Sequence, residues 1–303
     1  MTGPARAAVA RLGGVAARLG LHVRGRMGAR PGEQRFPGRP QPSGLEVEAH
    51  SAYVPGDDLR HLDWNLFGRL DTLLMRRFTA EREVVVHVLV DASASMGVPA
   101  ADGKWTATAE LAIVLAAIAV TSRHAARLAV LRGGGAPRTS LVHRRRAGLV
   151  AMAELLDTTT PSERLDLGQA LGEYAHQHPA GGAALVLSDF LLEPAALAPG
   201  VAALRRRGYA VYLLQLLGRS EIDPARALAS GELVDAESGE RHGVALDAQV
   251  LARYAALLAA HQDAMRALAV RHRATWASFA SDTPVLEIAT RDLVRIDLVR
   301  ARR

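Results

Sequence analysis

Residues 83–97 constrain this chain more than any other stretch. They read Glu-Val-Val-Val-His-Val-Leu-Val-Asp-Ala-Ser-Ala-Ser-Met-Gly. The first half is almost wholly aliphatic and β-branched, which predicts a strand buried on both faces at the centre of a parallel sheet. Where that strand ends, Asp91, Ser93 and Ser95 stand at alternate positions. Open α/β sheets bind ligands just outside the carboxyl ends of their strands. Three hard oxygen donors in that place suit a hexacoordinate Mg²⁺ or Mn²⁺. The plainer alternative makes Asp91 a turn cap and the serines ordinary loop residues.

A second stretch repeats the pattern. Residues 183–188 form another apolar run, and Asp189 comes directly after it. Two central strands that both end in aspartate suit a cation site if they lie side by side. Between and after them the pattern alternates as a doubly wound fold requires. Helices are predicted over 104–123, 147–157, 194–207 and 247–273, and strands over 127–132, 209–216 and 275–280. A short edge strand is expected over 139–143, a hairpin over 232–245 and a final helical stretch over 283–300. Gly133, Gly134 and Gly135 lack the spacing of a nucleotide fingerprint and read as a plain turn.

Composition removes several chemistries. The 303 residues include no cysteine, so disulfides, zinc–thiolate sites and thiol nucleophiles are excluded. The longest apolar run, residues 111–120, is about half of the roughly 20 residues a bilayer span needs, so no membrane span and a cytoplasmic location are expected. A net charge of +6 raises the question of nucleic acid. Its arginine runs at 144–146, 205–207 and 302–303 are scattered and carry no interleaved aromatics to stack bases. A solvated basic surface is the better account.

Residues 1–44 read as a basic arm, with an Ala-rich helix over 4–20 and a Pro/Gly-rich linker over 25–44. Residues 45–82 form a separate segment, and residues 83–303 the α/β domain. The middle segment carries Gly56, Asp57, Asp58, Arg60, Asp63 and Trp64. Its Pro-Gly makes a turn, and Asp57 or Asp58 can cap the next one. Arg60, Asp63 and Trp64 are expected to form a packed polar network under an aromatic lid.

The Asp-x-Ser-x-Ser of residues 91–95 resembles the metal-ion-dependent adhesion site of von Willebrand factor A domains. With the Gly-Asp-Asp-x-Arg-x-x-Asp-Trp of residues 56–64 and Gly68-Arg69 before it, the chain resembles the bacterial domain-of-unknown-function family 58. That resemblance implies an α/β, von Willebrand factor A-like (Rossmann-like) fold, doubly wound, with a mostly parallel sheet and helices on both faces. It implies metal ligands Asp91, Ser93, Ser95 and Asp189, with Mg²⁺ or Mn²⁺ as the ion. The implied partner is a MoxR-type AAA+ ATPase, in a chaperone-like or complex-assembly role. One position departs from the pattern: Leu165 stands where the adhesion site has a threonine, before the helix start at Asp166. Thr160, Ser162 or Asp166 are the available substitutes, though Asp166 is also a good N-cap.

The expected function is therefore non-enzymatic protein docking, with no small-molecule substrate. A metal-dependent hydrolase or phosphatase using Asp91 is the alternative. It is opposed by Ser93, which occupies the place of the general acid such enzymes carry two residues after the nucleophile. No Gly-x-Ser-x-Gly elbow is present either.

Overall fold

The computed structural model describes residues 3–16, 18–22, 46–55, 58–79, 84–179, 181–226, 230–236 and 239–302. In chain order, α1 (Pro4–Ala16) and β1 (Leu19–Leu21) come first. Next come β2 (Glu46–Ala52), α2 (Trp64–Leu70) and β3 (Leu74–Thr79). The central run is β4 (Val85–Asp91), α3 (Lys104–Thr121), β5 (Ala125–Leu131), β6 (Arg138–Thr139), α4 (Gly148–Asp157) and α5 (Leu167–Gln177). It continues with β7 (Gly182–Ser188), α6 (Pro194–Arg206), β8 (Tyr209–Leu217) and α7 (Arg219–Ile222). The hairpin β9 (Ser230–Val234) and β10 (Arg241–Ala245) leads into α8 (Ala248–Arg271) and β11 (Thr275–Ala280). A helical run over 285–295 precedes β12 (Val299–Ala301).

Two units result: residues 1–29 with 84–303, and residues 30–83. The larger holds a six-stranded sheet in the order β11-β8-β7-β4-β5-β6. Its pairs are parallel except for the edge pair β5–β6. This is the expected α/β, doubly wound class. Side chains alternate across each strand. Val86, Val88 and Val90 join the core under α3, while Leu89 joins the core under α5, α6 and α8. His87 interrupts the aliphatic run for a local reason: its Nδ1 lies 2.7 Å from the Tyr174 hydroxyl. Burial, then the Arg127 charge, pushes its pKa down to about 3, so the ring is neutral.

Helix α3 is buried almost all round, which fits a helix that is apolar on every face. It also corrects an expectation. Residues 100–121 are long and apolar enough to cross a bilayer by length and composition, and 78% of the most apolar 18 residues among them is buried inside the protein. Small polar breaks at Thr106, Thr108 and Glu110 shorten the run that the bare sequence displays.

The N-terminus is corrected as well. The expected Ala-rich helix forms as α1, but it belongs to the α/β domain and not to a separate arm, because it buries Ala5 and Ala8 in the α3 core. Asp157 of α4 accepts from the amides of Ala5 and Arg6 at 2.9 and 3.2 Å. Strand β1 pairs antiparallel with β12, so the expected helix over 283–300 gives way to a strand at its end. The linker over 25–44, Gly56, Asp57, Glu237 and Ser238 lie outside the described residues.

In the smaller unit, β2 and β3 pair antiparallel. Asp58 caps a single 3₁₀ turn, accepting from the Arg60 amide at 3.0 Å. The expected Arg60–Asp63–Trp64 network is not formed. Arg60 pairs with Asp58 at 3.1 Å, and Trp64 is 60% exposed, edge-on to Phe67. Asp63 caps α2 instead, accepting from Asn65 and Leu66 amides, and lies 3.0 Å from His50 Nε2. Helix α2 buries none of its described side chains, so it depends on this cap. Asp63→Ala should cost that unit about 1 kcal/mol, read as faster amide exchange over residues 64–70. Unchanged exchange would refute the capping role.

Candidate functional site at the carboxyl edge of the sheet

Strands β4 and β7 are neighbours, and Val90 pairs with Leu187. That register sets Asp91 beside Ser188 and brings Asp189 to the same edge. The chain leaves β4 towards α3 on one face and leaves β7 towards α6 on the other. The gap between β4 and β7 is thus a topological switch point, where crevices form in such sheets.

Asp91 is 3% exposed. One carboxylate oxygen accepts from the Ser93 amide at 2.8 Å and the other from the Ser188 hydroxyl at 2.6 Å. Burial, and then the neighbouring Asp189 charge, pushes its pKa up to about 6. Ser93 is buried and Ser95 half-buried, with their hydroxyl oxygens 3.1 Å apart. Adjacent oxygens around an octahedral Mg²⁺ with bonds near 2.05 Å are about 2.9 Å apart. The three donors of the first element therefore suit a hard divalent ion in kind, and the two serine hydroxyls suit it in spacing as well.

The other elements contribute less. Asp189 is buried, and its Oδ2 accepts from the Lys104 ammonium at 3.0 Å. Leu165 is half-buried and packs on the α5–α6 core, offering no donor. Thr160 and Ser162 are exposed, and Asp166 caps α5 by accepting from the Gln169 amide at 2.8 Å. The backbone of this loop still serves the site. The Ser162 amide donates to Ala92 O at 3.1 Å, and the Ala94 amide to Glu163 O at 2.9 Å. These bonds clamp the Asp91–Ser95 loop from outside. Among the described residues, no group of three or more His, Asp or Glu is placed to hold a metal. An ion here would be held by Asp91, Ser93 and Ser95.

Sequence reasoning missed Lys104, Ser188 and Glu221. The Lys104 ammonium also reaches Glu221 Oε1 at 2.5 Å. Burial alone would lower the Lys104 pKa, but Asp189 and Glu221 outweigh it and raise it, so the ammonium is charged. A signal existed. Lysine opens a helix that is otherwise mostly apolar, and a cation at a helix N-terminus opposes the helix dipole. Such a residue has to be placed for a partner.

The sequence model of a family described as "Protein of unknown function DUF58" matches residues 50–264. The uncharacterized protein Rv1480 of Mycobacterium tuberculosis is 28% identical over 227 residues, covering 72% of this chain and 69% of its own length. Solved structures that resemble the chain include BatB from Bacteroides thetaiotaomicron, at 13% identity and TM-score 0.41, covering 70% of this chain and 98% of its own. The SpRpn10 VWA domain is similar at 11% identity and TM-score 0.41, covering 70% and 94%. An aerotolerance-related membrane protein from Bacteroides fragilis matches at 15% identity and TM-score 0.39, covering 65% and 91%. The expected cytoplasmic location is withdrawn: one solved protein similar to this chain is described as a membrane protein, and residues 100–121 are themselves long and apolar enough to cross a bilayer.

Proposed function

For a chain that belongs to the DUF58 family and whose α/β body is von Willebrand factor A-like, we propose non-enzymatic protein docking at the carboxyl edge of the sheet. One observation carries this reading. Asp91, Ser93 and Ser95 gather their oxygens at the switch point between β4 and β7, beside a second buried aspartate. Asp91, Ser93 and Ser95 would hold Mg²⁺ or Mn²⁺. When bound, the ion supplies positive charge and an open coordination position for a carboxylate of the partner.

The chain's own residues do the rest. Ser188 and the Ser93 amide fix the Asp91 carboxylate in place. The clamp from Ser162 and Glu163 fixes the loop that carries both serines. The family resemblance makes a MoxR-type AAA+ ATPase the proposed partner, in an assembly role.

The test is capture of the MoxR-type ATPase by the purified protein, with and without chelator, against the double variant Ser93→Ala, Ser95→Ala. The variant should bind at least about tenfold more weakly, since each lost oxygen contact is worth about 1 kcal/mol or more. Chelator should weaken the parent and leave the variant unchanged. Equal capture by both proteins would move docking away from this edge.

A further inference from the structure

Lys104 joins three parts of the fold at one nitrogen. Its side chain is 1% exposed at the first residue of α3. Its ammonium donates to Asp189, at the end of β7, and to Glu221, in α7 just beyond β8. The other Glu221 oxygen accepts from the Gly218 amide at 2.6 Å, and the Tyr254 hydroxyl of α8 donates to the Glu221 carbonyl at 2.5 Å. The Asp189 carbonyl accepts from Gln215 of β8 at 2.7 Å. Asp102, just before α3, accepts from the Ser220 amide and hydroxyl at 2.9 and 2.5 Å. The ends of two adjacent strands, the start of α3 and the short helix α7 are therefore tied around one buried positive charge.

Without that charge, buried Asp189 and half-buried Glu221 would face each other uncompensated, with Asp91 close enough to Asp189 for the two to repel. Buried like charges of this kind are tolerated with a cation between them or with one of them protonated. We propose that Lys104 is a tethered cation that takes over part of the work a bound divalent ion would do. It neutralises Asp189 and holds the carboxyl edge assembled, leaving any free ion only the Asp91, Ser93 and Ser95 donors. The inference rests on reading this edge as a cation-dependent docking face, and it explains why Leu165 can stand where a donor is expected. Once the edge is held by an internal ammonium, the ion needs fewer protein ligands.

The test is Lys104→Met, which keeps the length and apolar stem of the side chain and deletes the charge. Thermal unfolding is followed in chelator and in millimolar Mn²⁺, alongside calorimetric titration of Mn²⁺. In chelator the variant should melt about 10 °C below the parent. Mn²⁺ should recover at least half of that loss, while the parent moves by no more than about 3 °C. The variant should also bind Mn²⁺ at least about tenfold more tightly than the parent, because the ion gains two uncompensated carboxylates. A variant that melts low, gains no Mn²⁺ affinity and shows no recovery would overturn the proposal and leave Lys104 an ordinary buried ion pair. Should Lys104→Met not fold in chelator, Lys104→Met with Glu221→Gln removes one of the two stranded acids. Folding of that double variant without a gain in Mn²⁺ affinity would overturn the proposal equally. These readouts use no partner, so equal ATPase capture by the parent and the Ser93/Ser95 variant, which would overturn the docking reading, leaves them standing and is told apart from them.

Discussion

Asp91→Asn is expected to stabilise the protein at neutral and alkaline pH while removing its affinity for a divalent ion. The folded chain holds the Asp91 proton far more tightly than an exposed carboxyl would, with the pKa pushed from 3.8 to about 6 by burial and by Asp189. Below 3.8 the group is protonated in folded and unfolded chains alike and costs nothing. Between 3.8 and about 6 folding takes up a proton, so stability is lost as pH rises. Above about 6 the full penalty applies. A shift of roughly two units corresponds to about 3 kcal/mol. Asparagine is nearly isosteric and keeps the acceptor that Ser93 uses. Its amide can donate to Ser188, whose hydroxyl now donates to the carboxylate. Denaturant unfolding in chelator should find the variant and parent about equal near pH 4 and the variant more stable by about 2–3 kcal/mol near pH 8. A variant less stable than the parent near pH 8 would show that the buried charge is no burden. The trade is the kind expected where function needs a group that folding would discard.

The second large effect lies where α5 crosses α6. Gly168 and Gly200 face one another there. A methyl group added at Gly168 would overlap the Ala196 carbonyl oxygen, and one added at Gly200 would overlap the Gly168 carbonyl oxygen and press on Leu171. Neither glycine has a positive φ, so close approach of the two backbones, and not conformational freedom, is what they supply. Gly200→Leu should cost about 3 kcal/mol or more by prising the helices apart. Gly172 provides the control on the same helix. It has open space around its Cα, so Gly172→Ala should stabilise by about 0.5–1 kcal/mol. Equilibrium unfolding of the three proteins decides the matter. A Gly200→Leu variant as stable as the parent would refute the crossing. The consequence reaches the site, because α6 comes directly after the loop beyond Asp189 and α5 after the loop that clamps Ala92 and Ala94.

How much of this was legible in the residues depends on how local each signal is. The strand ending at Asp91 and the strand ending before Asp189 announce themselves by unbroken aliphatic runs, and a buried parallel strand produces such runs. Helices α4, α6 and α8 and strand β11 came out within a few residues of their predicted bounds. The hairpin β9–β10 was legible from its polar tip. Strands β1 and β12 were not, because three residues carry no period and their pairing joins segments remote in sequence. In the smaller unit, Arg60 and Asp63 stand close enough in sequence to suggest a pair, yet each found a nearer partner: Asp58 for Arg60, and the first turn of α2 for Asp63. At the site, the donors on one loop were visible as a pattern. Lys104 and Glu221 were not, since they meet only when β8 lies beside β7 and α3 begins over both.

The pairing of β1 with β12 bears on how the molecule is made as well as on how it stands. Ribosomes deliver β1 long before β12, and at roughly 5–20 residues per second the interval is tens of seconds. During that time Leu19 and Leu21 must wait for a partner, and the flank of α3 that they and Val299 finally cover stays open. The three residues of β12 thus close the last side of a core that α1, α4, β4 and β5 have already built around α3.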